Sequence, residues 1–171
     1  MNGGESESPF EREAEAVDYP VDYPLDYIEA AKEWRQRVKN KWGEKEASHL
    51  HFEDGFTIVA VEGETIAGYI SCFWQMLPEP LGKTQEAFID IIEVDDNCRR
   101  RGVGSRLVKI ASERTSAEGI YQIRAWSSAD KIEAIPFWQS LGFGLAPATV
   151  AHGEDEIRGF YALKVLAQEK E

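Results

Sequence analysis

The chain is poor in the residues that most often build metal and disulfide sites. It has two cysteines in 171 residues, Cys72 and Cys98, which make neither a disulfide framework nor the paired spacing of a zinc site. Its three histidines, His49, His51 and His152, form no metal or triad pattern by themselves, although His49 and His51 would face the same way on a strand. No metal is expected. No apolar run approaches the roughly 18 residues that a membrane span needs. The opening stretch MNGGESESPFEREAEAVDYP lacks the basic region and apolar core of a signal peptide. Basic residues are also scarce, 19 Lys and Arg against 31 Asp and Glu, for a net charge of −12. That excess of acid argues against nucleic acid or an anionic membrane surface as a partner. These absences together describe a reduced, cytoplasmic protein with two inert thiols.

What is present reads as one domain. Residues 1–16 are rich in Gly, Ser and Glu and read as a flexible acidic tail. A single domain over 17–171 follows, long enough to bury a core. It begins with a short repeat, VDYPVDYPLDY, that spaces Tyr19, Tyr23 and Tyr27 evenly. Pro20 and Pro24 hold the preceding tyrosines in extended or turn geometry. The repeat suits an arm packed on the domain, a lid, or a strap joining a homodimer. From Leu25 to Trp42 the positions Ile28, Ala31, Trp34, Val38 and Trp42 fit a helical stripe closed by Gly43. The period then changes. FTIVAVEGETIAGYISCFWQML reads as two strands joined at Glu62-Gly63-Glu64, and EAFIDIIEV, Glu86 to Val94, as a third, buried strand. Val103, Leu107, Ile110 and Ala111 mark a helix that stops at Gly119. YQIRAW is a strand. ADKIEAIPFWQSL is a helix with Asp130 and Glu133 at capping-box spacing, and two strands close the chain. The order predicts an α/β (α+β) fold, a sheet covered by helices.

The run RRRGVGSRL, Arg99 to Leu107, is out of character for so acidic a chain. A basic run is either a solvated face or an anion site. Here it lies between a buried strand and a helix. A helix N-terminus offers unpaired N–H groups and partial positive charge. Gly102 and Gly104 let the backbone come close to a ligand, and arginines add bidentate donors. The combination suits a pyrophosphate. The Walker string G-x-x-x-x-G-K-[ST] is absent, and the dinucleotide fingerprint G-x-G-x-x-G fails at Leu107, with Arg124 near the place of the ribose-binding acid. The pyrophosphate of coenzyme A is left.

VDDNCRRRGVGSRLV resembles the acyl-CoA signature of the GNAT acetyltransferase superfamily, [RQ]-x-x-G-x-[GA], filled by Arg99, Gly102 and Gly104. AIPFWQSLGF, Ala134 to Phe143, is similar to that family's second signature, A-x-x-[LF]-[YF]-x-x-x-G-F. The likeness covers roughly residues 21–166. Four positions depart from the pattern. Asp96 stands where Pro is common and Lys131 where Asn is common. Pro136 interrupts the second helix. Trp138 stands where a Tyr commonly protonates the leaving thiolate.

The resemblance implies the GNAT fold, a mixed, mostly antiparallel sheet flanked by helices and splayed at the acyl-CoA site. It implies acetyl-CoA as acyl donor and direct attack by a primary amine in a ternary complex, the acceptor being a small molecule or a peptide. Backbone groups of Ile92 to Val94 would hold pantetheine. The N–H groups of Arg99, Arg100, Arg101, Gly102, Val103, Gly104 and Ser105 would hold pyrophosphate, with Lys131 and Phe137 beside the coenzyme. Glu93 is the first choice of base and Asp90 the second. Tyr161, or Tyr121, would substitute as the acid, unless the thiolate leaves without a dedicated one. The acceptor would lie near Trp34, Trp42, Trp74 and the loop LPEPLGKTQE, where Glu79 and Glu86 suit a cationic amine, although the same tryptophans also fit a plain core. Two other readings stay open, a non-catalytic acyl-CoA-binding module and an interaction protein that works through its DYP arm.

Overall fold

The computed structural model describes residues 24–166, so the acidic tail, Tyr19 and Tyr23 lie outside the described residues. The elements in chain order are β1 (Asp26–Glu29), α1 (Trp34–Trp42), α2 (Glu44–Ser48), β2 (Gly55–Glu62), β3 (Thr65–Met76), β4 (Gln85–Val94), α3 (Val103–Ala117), β5 (Gln122–Ser128), α4 (Ala134–Ser140), β6 (Gly144–His152) and β7 (Asp155–Val165). They form one seven-stranded sheet in the order β1-β2-β3-β4-β5-β7-β6. Every neighbouring pair is antiparallel except β4 with β5.

The period-2 pattern divides the core between the two faces. Phe56, Ile58 and Ala60 of β2 join Val103, Leu107 and Ala111 of α3 and Trp138 of α4 in the larger cluster. Val59 and Val61 turn the other way, onto Val38 of α1 and Ala47 of α2. Helices α3 and α4 therefore cover one face, and α1 and α2 the other.

The helix expected over Leu25–Trp42 is shorter and is preceded by a strand. Asp26–Glu29 pairs antiparallel with β2, Tyr27 opposite Ala60. Leu25 and Tyr27, two apart, both pack on the α3-side core, which is strand spacing. Helix α1 starts only at Trp34 and buries Val38 alone. Gly43, with φ 114°, ends it and leads directly into α2. The capping box expected at Asp130 does not form. Helix α4 begins later, and its first flanking residue, Glu133, is itself helical with no side-chain cap. The Asp130 carboxylate instead bonds Ser128 and the turn's own backbone, which holds it below the usual range.

Candidate active site

The sheet opens at its centre. β4 and β5 pair only where Ala87, Phe88 and Ile89 face Ile123, Arg124 and Ala125. Beyond that, β4 runs on to Val94 and β5 to Ser128 with no pairing between them. The cause lies on the other side of β4. Ser71 of β3 is opposite Ile91 and Cys72 is opposite Ile89, so Asp90 is an extra residue without a partner. A bulge of this kind bends its strand and sharpens the twist, and it sits where the pairing with β5 stops. It also changes the strand's alternation. Ile89 and Ile92 both pack on the α3 side, while Ile91 packs with α1 and α2. Asp90 and Glu93, three apart, therefore share the α2 side of the sheet.

The splay forms a cavity of about 420 Å³. Ile92, Glu93, Phe137 and Trp138 line it together with Lys131, and Lys45, Glu46 and His49 line it from α2 and the residue that caps it. A larger groove of about 1090 Å³ follows the outer face of α3 past Arg106 and Lys109 to Lys164 and Leu166. It meets Ser105 but none of the cleft carboxylates, so the smaller cavity is the candidate site.

The arginine-glycine turn lies at the entrance to α3. Arg99 is extended, Arg100 has φ 61° and Gly102 has φ 78°. Left-handed residues in such a turn direct successive N–H groups to one side. No side chain caps α3 and no acid occupies its first turn, so its leading N–H groups keep their capacity for an anion. Val103 is buried and anchors the helix in the core, so only its backbone is available to a ligand. A Cβ on Gly104 would lie 3.4 Å from Phe137 and 3.6 Å from Val94, which fits the helix N-terminus closely against α4 and the end of β4. Arg99 donates to the Val94 carbonyl at 3.4 Å and pairs with Asp96 at 3.0 Å. Arg101 reaches Cys98 Sγ at 3.9 Å.

Glu93 is half-buried in the cleft. Burial pushes its carboxyl above the usual range, Lys131 and Arg99 pull it back, and Glu46 and Asp96 push it up again. Across the strand pair lies Tyr69, fully buried, whose hydroxyl has no hydrogen-bond partner among the described residues. Burial raises the phenol, and the charges of Glu93 and Glu46 add to that.

Asp90 occupies a second cluster in the same cleft. Its Oδ2 accepts from His49 Nδ1 at 3.0 Å and from His51 Nε2 at 2.9 Å, and His51 Nδ1 meets Asp54 Oδ2 at 2.9 Å. The backbone of His51 is held by two buried hydroxyls. Thr57 donates to its carbonyl, Ser71 accepts from its N–H, and the two hydroxyls bond each other, each contact at 2.8 Å. Spacing alone did not reveal this cluster, because His49 and His51 lie in a connection rather than on a strand, and the bulge that brings Asp90 to them leaves no local signature. Among the described residues no group of three or more His, Cys, Asp or Glu side chains is arranged to hold a metal ion.

Several expected residues are not brought here. Tyr161 does not line the cleft, and the Arg124 guanidinium covers its ring at 4.6 Å. Tyr121 is exposed at the start of β5, where its carbonyl accepts from Leu166. Trp42 packs edge-on against Tyr69, Trp74 packs on Phe56, and Arg37 stacks on Trp34, so none of these tryptophans walls the cleft. Glu86 is fully buried and accepts from Gln75, Gln122 and Arg124, a neutralised carboxylate with nothing left for an amine. Glu79 is exposed in the loop before β4. Trp138 is a core residue, 4% exposed, between Phe137 and Phe143 at 5.0 and 4.9 Å. No phenol stands at that position of the helix.

Known proteins share this fold. NAA60 of Arabidopsis thaliana, solved with acetyl-CoA, superposes with a TM-score of 0.69 at 11% identity, covering 84% of this chain and 100% of its own. The ribosomal-protein-S18-alanine N-acetyltransferase of Escherichia coli gives 0.65 at 16% identity, covering 86% and 97%. An uncharacterised N-acetyltransferase of Methanocaldococcus jannaschii is 32% identical over 91 residues, which is 53% of this chain; the match spans about two fifths, 39%, of that relative's length. The sequence profile of the Acetyltransferase (GNAT) family matches residues 13–143, most of the fold including the cradle and the second signature, and the chain belongs to that family.

Proposed function

We propose that this chain is an N-acetyltransferase that moves the acetyl group of acetyl-CoA to a primary amine by direct attack in a ternary complex. One observation carries the reading: β4 and β5 part after Ile89 and Ala125, and an uncapped helix N-terminus preceded by two left-handed residues packs at Gly104 against Val94 at the end of β4 and against Phe137, which lines the cleft. In this reading pantetheine lies along the free edge of β4 at Ile92 and Val94. Pyrophosphate lies on the N–H groups between Arg99 and Ser105, with Arg100, Arg101 and Lys131 supplying charge and Phe137 apolar contact. Oriented N–H groups next to the thioester carbonyl would also stabilise the oxyanion of the tetrahedral adduct.

Glu93 acts as the base. An ammonium has no lone pair, and a half-buried carboxyl with raised proton affinity is suited to removing its proton. Position 138 carries an indole rather than a phenol, so in this reading Glu93 also returns that proton to the departing thiolate. The acceptor side of the cleft carries Glu46, Asp90 and Glu93, three carboxylates that favour a cationic amine over a neutral one. This reading fits either a peptide amine or a small-molecule amine.

The test is a thermal melt with acetyl-CoA, ATP and NAD in parallel, followed by turnover against a panel of peptide and small-molecule amines. Acetyl-CoA at 100 times its Kd should add about 2.7 kcal/mol of stability, and the other two should add much less. Equal shifts with all three would overturn the assignment. A shift with acetyl-CoA but no turnover on any amine would identify the chain as a binding module, the reading favoured by Trp138 standing in place of a phenol.

A further inference from the structure

We propose that His49, oriented by Asp90, is a second catalytic base that takes the last proton from the acceptor nitrogen and passes it to solvent. This deepens the acetyltransferase reading and rests on it. The need follows from proton balance. An ammonium that becomes an amide loses two protons, and the sulfur regains one as it leaves as a thiol. The first proton goes to Glu93 and returns with the sulfur. The second is lost when the tetrahedral adduct, still carrying a protonated nitrogen, collapses: its N–H bond breaks and leaves the electron pair on nitrogen, the oxyanion re-forms the C=O bond, and the C–S bond releases its electron pair to sulfur. That proton is the net product of the reaction and must reach water.

His49 is placed for the task. It lines the same cleft as Glu93 and its side chain is 40% exposed, so one ring reaches both cleft and solvent. Its Nδ1 is tied to Asp90 at 3.0 Å, which fixes the tautomer and leaves Nε2 with the lone pair. An imidazole held through one nitrogen by a carboxylate and reacting through the other is a recurrent arrangement for a general base. His51 and Asp90 are positioning residues. The same Asp90 Oδ2 is held by His51, whose ring also meets Asp54 and whose backbone is held by the buried Thr57–Ser71 pair. Two buried hydroxyls on the core strands are spent on holding one backbone segment, and a bulge in β4 supplies the carboxylate they serve. The charged groups around the ring are Lys45 and Glu46 of α2, Asp90 and Glu93 of β4, Asp54 beyond His51, and Lys131 across the cleft.

The test compares wild type with His49→Gln, Asp90→Asn and Glu93→Gln, on one acceptor found active with the wild type, across pH and with and without added imidazole. His49→Gln should keep acetyl-CoA affinity and melting temperature and lose on the order of 100-fold in kcat. Imidazole should restore part of that rate, because a free base replaces the missing ring. Asp90→Asn should lose about tenfold and displace the limb of the pH profile that His49→Gln abolishes. Glu93→Gln should recover at high pH and not respond to imidazole. A His49→Gln enzyme with the wild-type rate and profile would overturn the proposal, and so would one that weakens acetyl-CoA binding in proportion to its rate. No wild-type turnover on any amine would remove both the relay and the acetyltransferase reading. Wild-type turnover with an unaffected His49→Gln would remove the relay alone.

Discussion

Glu93 shows how a single residue trades stability for chemistry. Its carboxyl is raised mainly by burial, so the folded chain holds that proton more tightly than the unfolded chain does. For a raised carboxyl the penalty is absent when both states are protonated, sets in as pH climbs past the ordinary glutamate value, and is complete above the folded value. At neutral pH an ionised Glu93 therefore destabilises the fold. Glu93→Gln should melt higher than wild type at pH 7, and the difference should vanish on acidification. The same variant should turn over more slowly at pH 7 and recover as free amine becomes abundant. A melting temperature below wild type at pH 7 would mean that Lys131 and Arg99 outweigh the burial. Glu93 was legible as a candidate because the family resemblance places the thioester beside it and it alternates with Ile92 and Val94 on the strand. Its kinship with Asp90 was not. An odd separation places two strand residues on opposite faces, and only the unpaired position at Asp90 reverses that. A bulge depends on the partner strand, so one strand's sequence does not announce it.

At the scale of the element, the segments that could be read are those with a local cause. The β2–β3 hairpin turns at Gly63 with φ 58°, and α3 ends where Gly119 has φ 74°. β1 was read as helix because a four-residue edge strand is decided by its neighbour β2, far along the chain. The entry to α3 had both kinds of information: Gly102 occupies the left-handed position the motif requires, while the contact of Gly104 with Phe137 emerges only when α4 packs. Gly104→Glu tests what this entry does. A side chain begins there at ordinary contact distances, 3.4 Å from Phe137. An acid in the first turn of a helix is favourable by about 0.3–1 kcal/mol, and this turn has none. The variant should therefore fold with a melting temperature close to wild type or above it. Its carboxylate would take the place of the pyrophosphate and repel what remains, so acetyl-CoA affinity should fall by about 100-fold or more. A folded variant with wild-type affinity, measured by calorimetry, would place the coenzyme elsewhere.

Across the whole molecule, charge and topology divide the work. The chain carries −12, yet Arg99, Arg100 and Arg101 stand together just before α3, whose first turn packs against Val94 at the end of β4. The family resemblance carried by two short motifs and the element order was enough to anticipate the open seam between β4 and β5. The furnishing of its α2 side was not legible, because it draws on residues from α2, the following connection, β2, β3 and β4 that meet only in the fold. The seam leads to a prediction about backbone rather than side chains. From Asp90 to Val94 the β5-facing edge of β4 has no strand partner, and the end of β5 is likewise unpaired on its β4 side. Unpaired backbone edges exchange their amide hydrogens readily, since no ladder bond has to open first. If pantetheine completes the β4 edge, acetyl-CoA should slow exchange in peptides covering 90–95 as well as those covering the turn at 99–105, while ATP should slow neither. Peptides from the β2–β3 hairpin, already paired on both sides, should change little and serve as the internal control. Protection confined to 99–105 would show a coenzyme held by its phosphates alone, with its thioester outside the seam, and direct transfer beside Glu93 would then be ruled out.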